Sequence, residues 1–102
     1  MGASHTPAAA PASRGALEAA LADAGGTDPR WWSNAPGDTY ARHDHAYHKV
    51  LFCAQGSIVF HTDDGDIALE AGDRLEIEPG TAHAATVGAQ GVTCVEAPLT
   101  QA

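Results

Sequence analysis

Gly37-Asp38-Thr39-Tyr40-Ala41-Arg42-His43-Asp44-His45-Ala46-Tyr47-His48-Lys49 is the stretch whose reading decides the fold of this 102-residue chain. Three of the six histidines fall between positions 43 and 48. On a β-strand alternate side chains share a face, so His43 and His45 are predicted to present both imidazoles to one side, close enough to share a metal ion. His83 follows directly after a Pro79-Gly80 turn. Two nitrogens from one strand and a third from another make a three-nitrogen face for a first-row metal, with positions left open for substrate, O2 or water. His48 breaks the parity of His43 and His45. It becomes a fourth candidate ligand if a β-bulge turns it inward, and otherwise faces solvent or an interface. Tyr47 and Lys49 share the parity of His43 and His45 and are the candidate catalytic residues. Tyr47 either hydrogen-bonds a bound ligand or fills the interior with its ring. Lys49 either snorkels toward water, Glu78 or Glu96, or serves as an inward cation that holds an anionic substrate or donates a proton.

Outward from this stretch the pattern is one of short strands. Tyr40 to Ala54 alternates, and Gln55-Gly56 breaks it. Ser57 to Thr62 is a β-branched and aromatic run, Asp63 to Asp66 a turn, and Ile67 to Glu70 the returning strand. Arg74 to Glu78 alternates, with Leu75 and Ile77 on one face. His83 to Val87 and Val92 to Ala97 read as two further strands around Gly88 to Gly91. Strands this short at such regular intervals predict an all-β antiparallel sandwich or barrel. Leu51, Ile58, Leu75 and Ile77 are its expected core, and Cys53 and Cys94 are expected as reduced, buried thiols. His61 is expected to be structural. Upstream, Ser13 to Gly26 reads as one short helix, capped by Ser13 and ended at Gly25, with Leu17 and Leu21 on one face. The chain thus divides into a disordered tail at 1–13, a helix and connector at 14–36, and a barrel at 37–102. His5, in the tail, is given no role. In the connector, Trp31-Trp32 either pins the segment to the body, lines a site or offers a docking surface.

Composition narrows the function. The formal net charge is −8, and residues 63–78 carry seven acids against one Arg; nucleic-acid binding needs clustered Lys and Arg instead. No run of 18 apolar residues suggests a membrane span, and no secretory leader is visible, so the expected location is the cytoplasm. Ala alone supplies 22 residues, against 16 Val, Ile, Leu and Phe. The core is therefore expected to be modest. Nucleophile-elbow, Walker, dinucleotide-binding and Cys-x-x-Cys motifs are absent from the sequence, and Asp63, Asp64 and Asp66 lack calcium-loop spacing.

The chain resembles the cupin superfamily. Its first motif is matched by Gly37, five residues, His43-Asp44-His45, three residues, Lys49, six residues and Gly56; its second by Gly72, five residues, Glu78-Pro79-Gly80, two residues and His83. The resemblance covers roughly residues 37 to 97. It implies a small jelly-roll barrel with a site inside its mouth, and frequent dimerisation, so a homodimer is expected. Two positions depart from the pattern: Lys49 stands where the family has Glu, and Glu78 where it has Pro. Metal binding is therefore carried over only onto His43, His45 and His83. The implied cofactor is a divalent transition metal, Fe, Mn, Ni, Cu or Zn. The expected function is a metal-dependent enzyme of oxygenase or other oxidoreductase type acting on a small molecule. The alternatives are a non-catalytic small-molecule-binding or sensing cupin, or an accessory protein to a larger enzyme.

Overall fold

Two long strands carry the architecture. β4 (Lys49–Thr62) and β7 (His83–Pro98) run antiparallel and pair from Lys49↔Pro98 to Thr62↔His83. The computed structural model describes residues 2–99; Met1 and residues 100–102, the ends of the expected tail and barrel, lie outside the described residues. The remaining strands are β1 (Ala3–Thr6), β2 (Arg30–Asn34), β3 (Thr39–His43), β5 (Gly65–Glu70) and β6 (Arg74–Ile77), with one helix, α1 (Arg14–Asp23). The sheet order is β1-β6-β4-β7-β2, with β3 also on β7 and β5 also on β4.

Each long strand changes neighbours part-way along. β4 pairs β6 over Lys49 to Phe52 and β5 over Ser57 to Thr62. β7 pairs β3 near His83 and β2 over Val92 to Glu96. Between these halves the β4–β7 register slips at Cys53/Gln55 and at Gly56/Ile58. Such bulges bend strands and reset which residues face inward. Before the slip Leu51 and Cys53 face the inner core; after it Ile58 and Phe60 do. That core draws on both halves, joining Leu75 and Ile77 to Leu69, Val87 and Cys94. The sheet therefore curls over its own interior as an all-β jelly roll with one helix. The two strands expected at 83–87 and 92–97 are one irregular strand, β7, and the connecting residues 88–91 have no partner on β4. Cys53 and Cys94 stand opposite each other on paired strands, both free and buried.

The other face of β4 and β7 receives the helix. Leu17 and Leu21, spaced i, i+4, bury against Val50, Phe52, Val95 and Ala97. Full burial of each Leu contributes roughly 1.5–3 kcal/mol, which a ten-residue helix needs because it is too short to stand alone. Ser13 caps it, its Oγ accepting from the Ala16 amide at 3.4 Å. The connector is not irregular throughout, since residues 30–34 form β2. Adjacent residues on a strand face opposite ways. Trp31 accordingly packs on the helix side, its Nε1 donating to Glu18 at 2.7 Å, while Trp32 enters the barrel interior.

The N-terminal tail is also a correction. Residues 3–6 form a strand paired with β6, Ala3↔Ile77 to Thr6↔Arg74. Backbone pairing does not require apolar side chains, so an Ala- and Pro-rich composition did not reveal it. Asp73, 8% exposed, is the anchor. Its carboxylate accepts from the amides of Ala8 (2.8 Å) and Glu70 (3.0 Å) and lies 3.0 Å from His5 Nε2. Burial pushes the Asp73 pKa up, but these amides and the His5 ring more than offset it, so the carboxyl sits below its ordinary value. Asp73→Ala removes a charged acceptor shared by three part-buried donors and is expected to lower stability by about 2 kcal/mol, read as a lower urea midpoint. An unchanged midpoint would show that the tail contributes nothing.

Candidate metal centre

His83 is placed by cross-strand register. It opens β7, directly opposite His43 on β3 and Thr62 on β4. Residues opposed in this way have Cβ atoms about 5 Å apart, so two imidazoles meet without any special loop. His45 reaches the same place differently. β3 ends at His43, and residues 44–48 form a loop rather than the expected continuous strand. The loop is fixed at two points. The Gly80 amide donates to the His45 carbonyl at 2.8 Å, and the Leu99 amide donates to the His48 carbonyl at 2.8 Å. The Pro79-Gly80 turn of the second motif thus holds the histidine loop of the first.

The three rings converge. Centroids lie 4.8 Å apart for His43–His45, 4.4 Å for His43–His83 and 5.3 Å for His45–His83. One ligand nitrogen from each lies within 4.8 Å of the other two. His43 is exposed at the rim, His45 half-buried and His83 buried. The ring chemistry suits a metal. His43 Nδ1 lies 2.8 Å from the Ala41 carbonyl and His83 Nδ1 lies 2.9 Å from the Thr81 carbonyl. A carbonyl only accepts, so each Nδ1 carries a proton, which leaves Nε2 as the ring atom that can offer a lone pair to a metal. The Nε2 atoms of His45 and His83 are buried without a hydrogen-bond partner. A buried polar atom left unpaired costs free energy, and a cation would remove that cost here.

The other candidates are placed apart from this trio. His48 Nε2 stands 3.0 Å from Glu76 Oε1, and no bulge turns it inward because the loop has already ended the strand. Tyr47 lies in the same loop, where strand parity does not apply. It is 42% exposed, with its ring 5.0 Å from that of His45. Lys49 begins β4 and points inward, 7% exposed, with Nζ 3.2 Å from Glu96 Oε1. Trp32 Nε1 donates to the same Glu96 oxygen at 2.9 Å. Together with Tyr40, Phe60 and Ala85, these groups and the three histidines line an open-mouthed cavity of about 200 Å³. Lining a site was one of the readings open for the Trp31-Trp32 pair, and Trp32 is the ring that does so. The signal for Glu96 was its position as a lone acid between Val95 and Ala97.

Burial lowers the pKa of His45, and the charges of Lys49 and His43 add to the effect. Burial also lowers His83; the Thr81 carbonyl opposes this, while His43, Lys49 and His45 reinforce it. Well above pH 6.5 these rings are neutral in both folded and unfolded chains and contribute nothing. As pH falls below that value the unfolded chain takes up protons first, so metal-free stability is expected to fall until the lowered folded values are passed. The loss should be smaller in His83→Gln than in the parent, in thermal melts at pH 7.5 and 5. Equal losses would contradict it.

A family model for the cupin domain matches residues 30–94. No curated protein matches. Among solved structures, one from Rhizobium leguminosarum of unknown function superposes with a TM-score of 0.66 at 15% identity, covering 72% of this chain and 69% of that one. A cupin superfamily protein from Desulfitobacterium hafniense gives 0.65 at 22% identity, covering 72% and 66%. Acireductone dioxygenase from Bacillus anthracis, with a cadmium ion in its active centre, gives 0.61 at 18% identity, covering 83% and 58%. The chain thus spans about two thirds of the first two structures and less of the third, and at these identities the likeness is one of fold.

Proposed function

Since the chain belongs to the cupin domain family, we propose that it is a metal-dependent cupin acting on a small molecule, with chemistry of oxygenase or other oxidoreductase type. The observation that carries this reading is the convergence of His43, His45 and His83 at one cavity, with unpartnered Nε2 atoms on His45 and His83. These three residues would hold one divalent ion of Fe, Mn, Ni, Cu or Zn. Such an ion supplies Lewis acidity to a bound oxygen atom and, for Fe or Cu, electron transfer. The chain's own groups do the rest. The carbonyls of Ala41 and Thr81 fix the His43 and His83 tautomers. Trp32, Tyr40, Phe60 and Ala85 form a wall that displaces water from a bound molecule. Lys49 sets a positive charge in the cavity, balanced by Glu96. A homodimer and a cytoplasmic location belong to the same proposal.

The test is metal content by inductively coupled plasma mass spectrometry, on protein purified without a polyhistidine tag or chelator. One ion per chain is expected. No uptake after incubation with each of the five metals would replace this reading with that of a metal-free ligand-binding cupin. The ion pair at Lys49, where the family has a carboxylate, favours that second reading. It also yields a prediction. Lys49→Glu should tighten metal binding roughly tenfold by replacing a cation near the ion with an anion. The same change should lower the melting temperature of the metal-free protein, because Glu96 then faces a second carboxylate. Weaker metal binding in this variant would place Lys49 away from the ion.

A further inference from the structure

Glu96 has one committed oxygen and one uncommitted oxygen. Trp32 Nε1 and Lys49 Nζ both approach Oε1, at 2.9 and 3.2 Å. Among the described residues, no partner falls on Oε2. The side chain is 18% exposed and lines the cavity shared with the three imidazoles. A carboxylate oxygen without a protein partner, on a residue that lines the cavity, is an acceptor open to a donor from a bound molecule. Lys49 already balances its charge, so an acceptor here favours a donor group and requires no further cation. The carboxylate is also well fixed, since an indole and an ammonium pull on the same atom from different strands, β2 and β4.

We propose that Glu96 is a specificity residue, accepting through Oε2 a hydrogen bond from a hydroxyl or amine next to the metal-binding atom of the ligand. This rests on the metal-centre reading given above. Trp32 and Lys49 act as positioning residues through Oε1. Size narrows the ligand further. A cavity of about 150 Å³ holds benzene, so about 200 Å³ holds roughly eight heavy atoms. The aromatic and methyl wall of Trp32, Tyr40, Phe60 and Ala85 suits an apolar body. The ligand class is therefore a small molecule with a compact apolar body that carries a metal-binding oxygen and an adjacent O–H or N–H. A branched 2-hydroxy acid is the simplest probe of this class.

The experiment is a double-mutant cycle by calorimetry on Zn(II)-loaded protein, with 2-hydroxyisovalerate and isovalerate as probes and Glu96→Gln as the variant. Metal content is measured first for each protein. The parent should bind the hydroxy acid about tenfold or more tightly than the plain acid, and Glu96→Gln should cut that ratio several-fold; the ratio cancels what the lost charge does to both acids alike. Trp32→Phe, which keeps the ring but removes one bond to Oε1, should reduce the preference in part, and it serves if Glu96→Gln does not fold. Equal affinity of the parent for the two probes would overturn the inference. So would a preference that survives either variant in full, with metal loading intact. Failure of the parent to take up Zn(II) or any of the other four metals would instead overturn the metal centre and this inference with it.

Discussion

His83→Ala and His43→Ala are each expected to abolish metal binding while leaving a folded barrel. Removing one of three nitrogens from the face loses that bond and the chelation that depends on it. Affinity should fall by about three orders of magnitude, given the roughly 10–16 kcal/mol that complete four-ligand zinc sites supply. The two variants separate site from scaffold. His43 is exposed on β3, a strand whose five residues are all exposed, so its truncation should leave the melting temperature of the metal-free protein unchanged. His83 is 1% exposed and packs near Phe60, ring centroids 6.2 Å apart. Its truncation opens a cavity but also removes a buried, unpartnered nitrogen, and these effects oppose each other. Metal titration followed by mass spectrometry, with circular dichroism as the folding control, reads both. Parent-like metal content in either variant would remove that residue from the site.

Gly56→Ala is expected to be the most damaging single-methyl change in the barrel. Gly56 has φ of +75°, where an L side chain costs about 1–2 kcal/mol. A Cβ there would lie 2.0 Å from the Gly91 carbonyl oxygen, which is backbone and cannot rotate aside. Forcing β4 and β7 apart costs a further ~1–3 kcal/mol. The total, about 4 kcal/mol, is a large share of the ~5–15 kcal/mol that holds a small domain together. For a domain of this size it corresponds to a fall in melting temperature of roughly 15–30 °C. A fall of only a few degrees would mean that the two strands can separate at the bend without loss.

Gly56 illustrates what was legible and what was not. The sequence motif ends on it, and the break at Gln55-Gly56 was plain, yet its reason is a contact with Gly91, 35 positions away. The hairpin of β4 and β5 was readable because its turn and both its strands are local. The helix was readable for the same reason, through Ser13, Leu17, Leu21 and Gly25. β1 and β2 were not: each is held by pairing with a strand far away in sequence, from Ala3↔Ile77 and from Arg30↔Glu96. Nothing in Ala3 to Thr6 announces a strand until β6 stands beside it. The same limit applies at the site. Strand parity grouped His43 with His45, and the structure does bring them together. It does so through a loop tied to Gly80, however, and that loop takes Tyr47 out to solvent and His48 to Glu76.

The sequence by itself determined the alternation that makes an all-β chain, the two spaced motifs, and the three histidines that can share an ion. These are properties of residue type and of short spacing, and periodicity carries them. Only the tertiary structure decided that His83 stands opposite His43, that Glu96 and Trp32 close the cavity over Lys49, and that the N-terminal residues complete the sheet. Each of these depends on the register between strands far apart in the chain. That register is chosen by how the two halves of the sheet bury a shared core, a choice no local stretch of sequence makes alone.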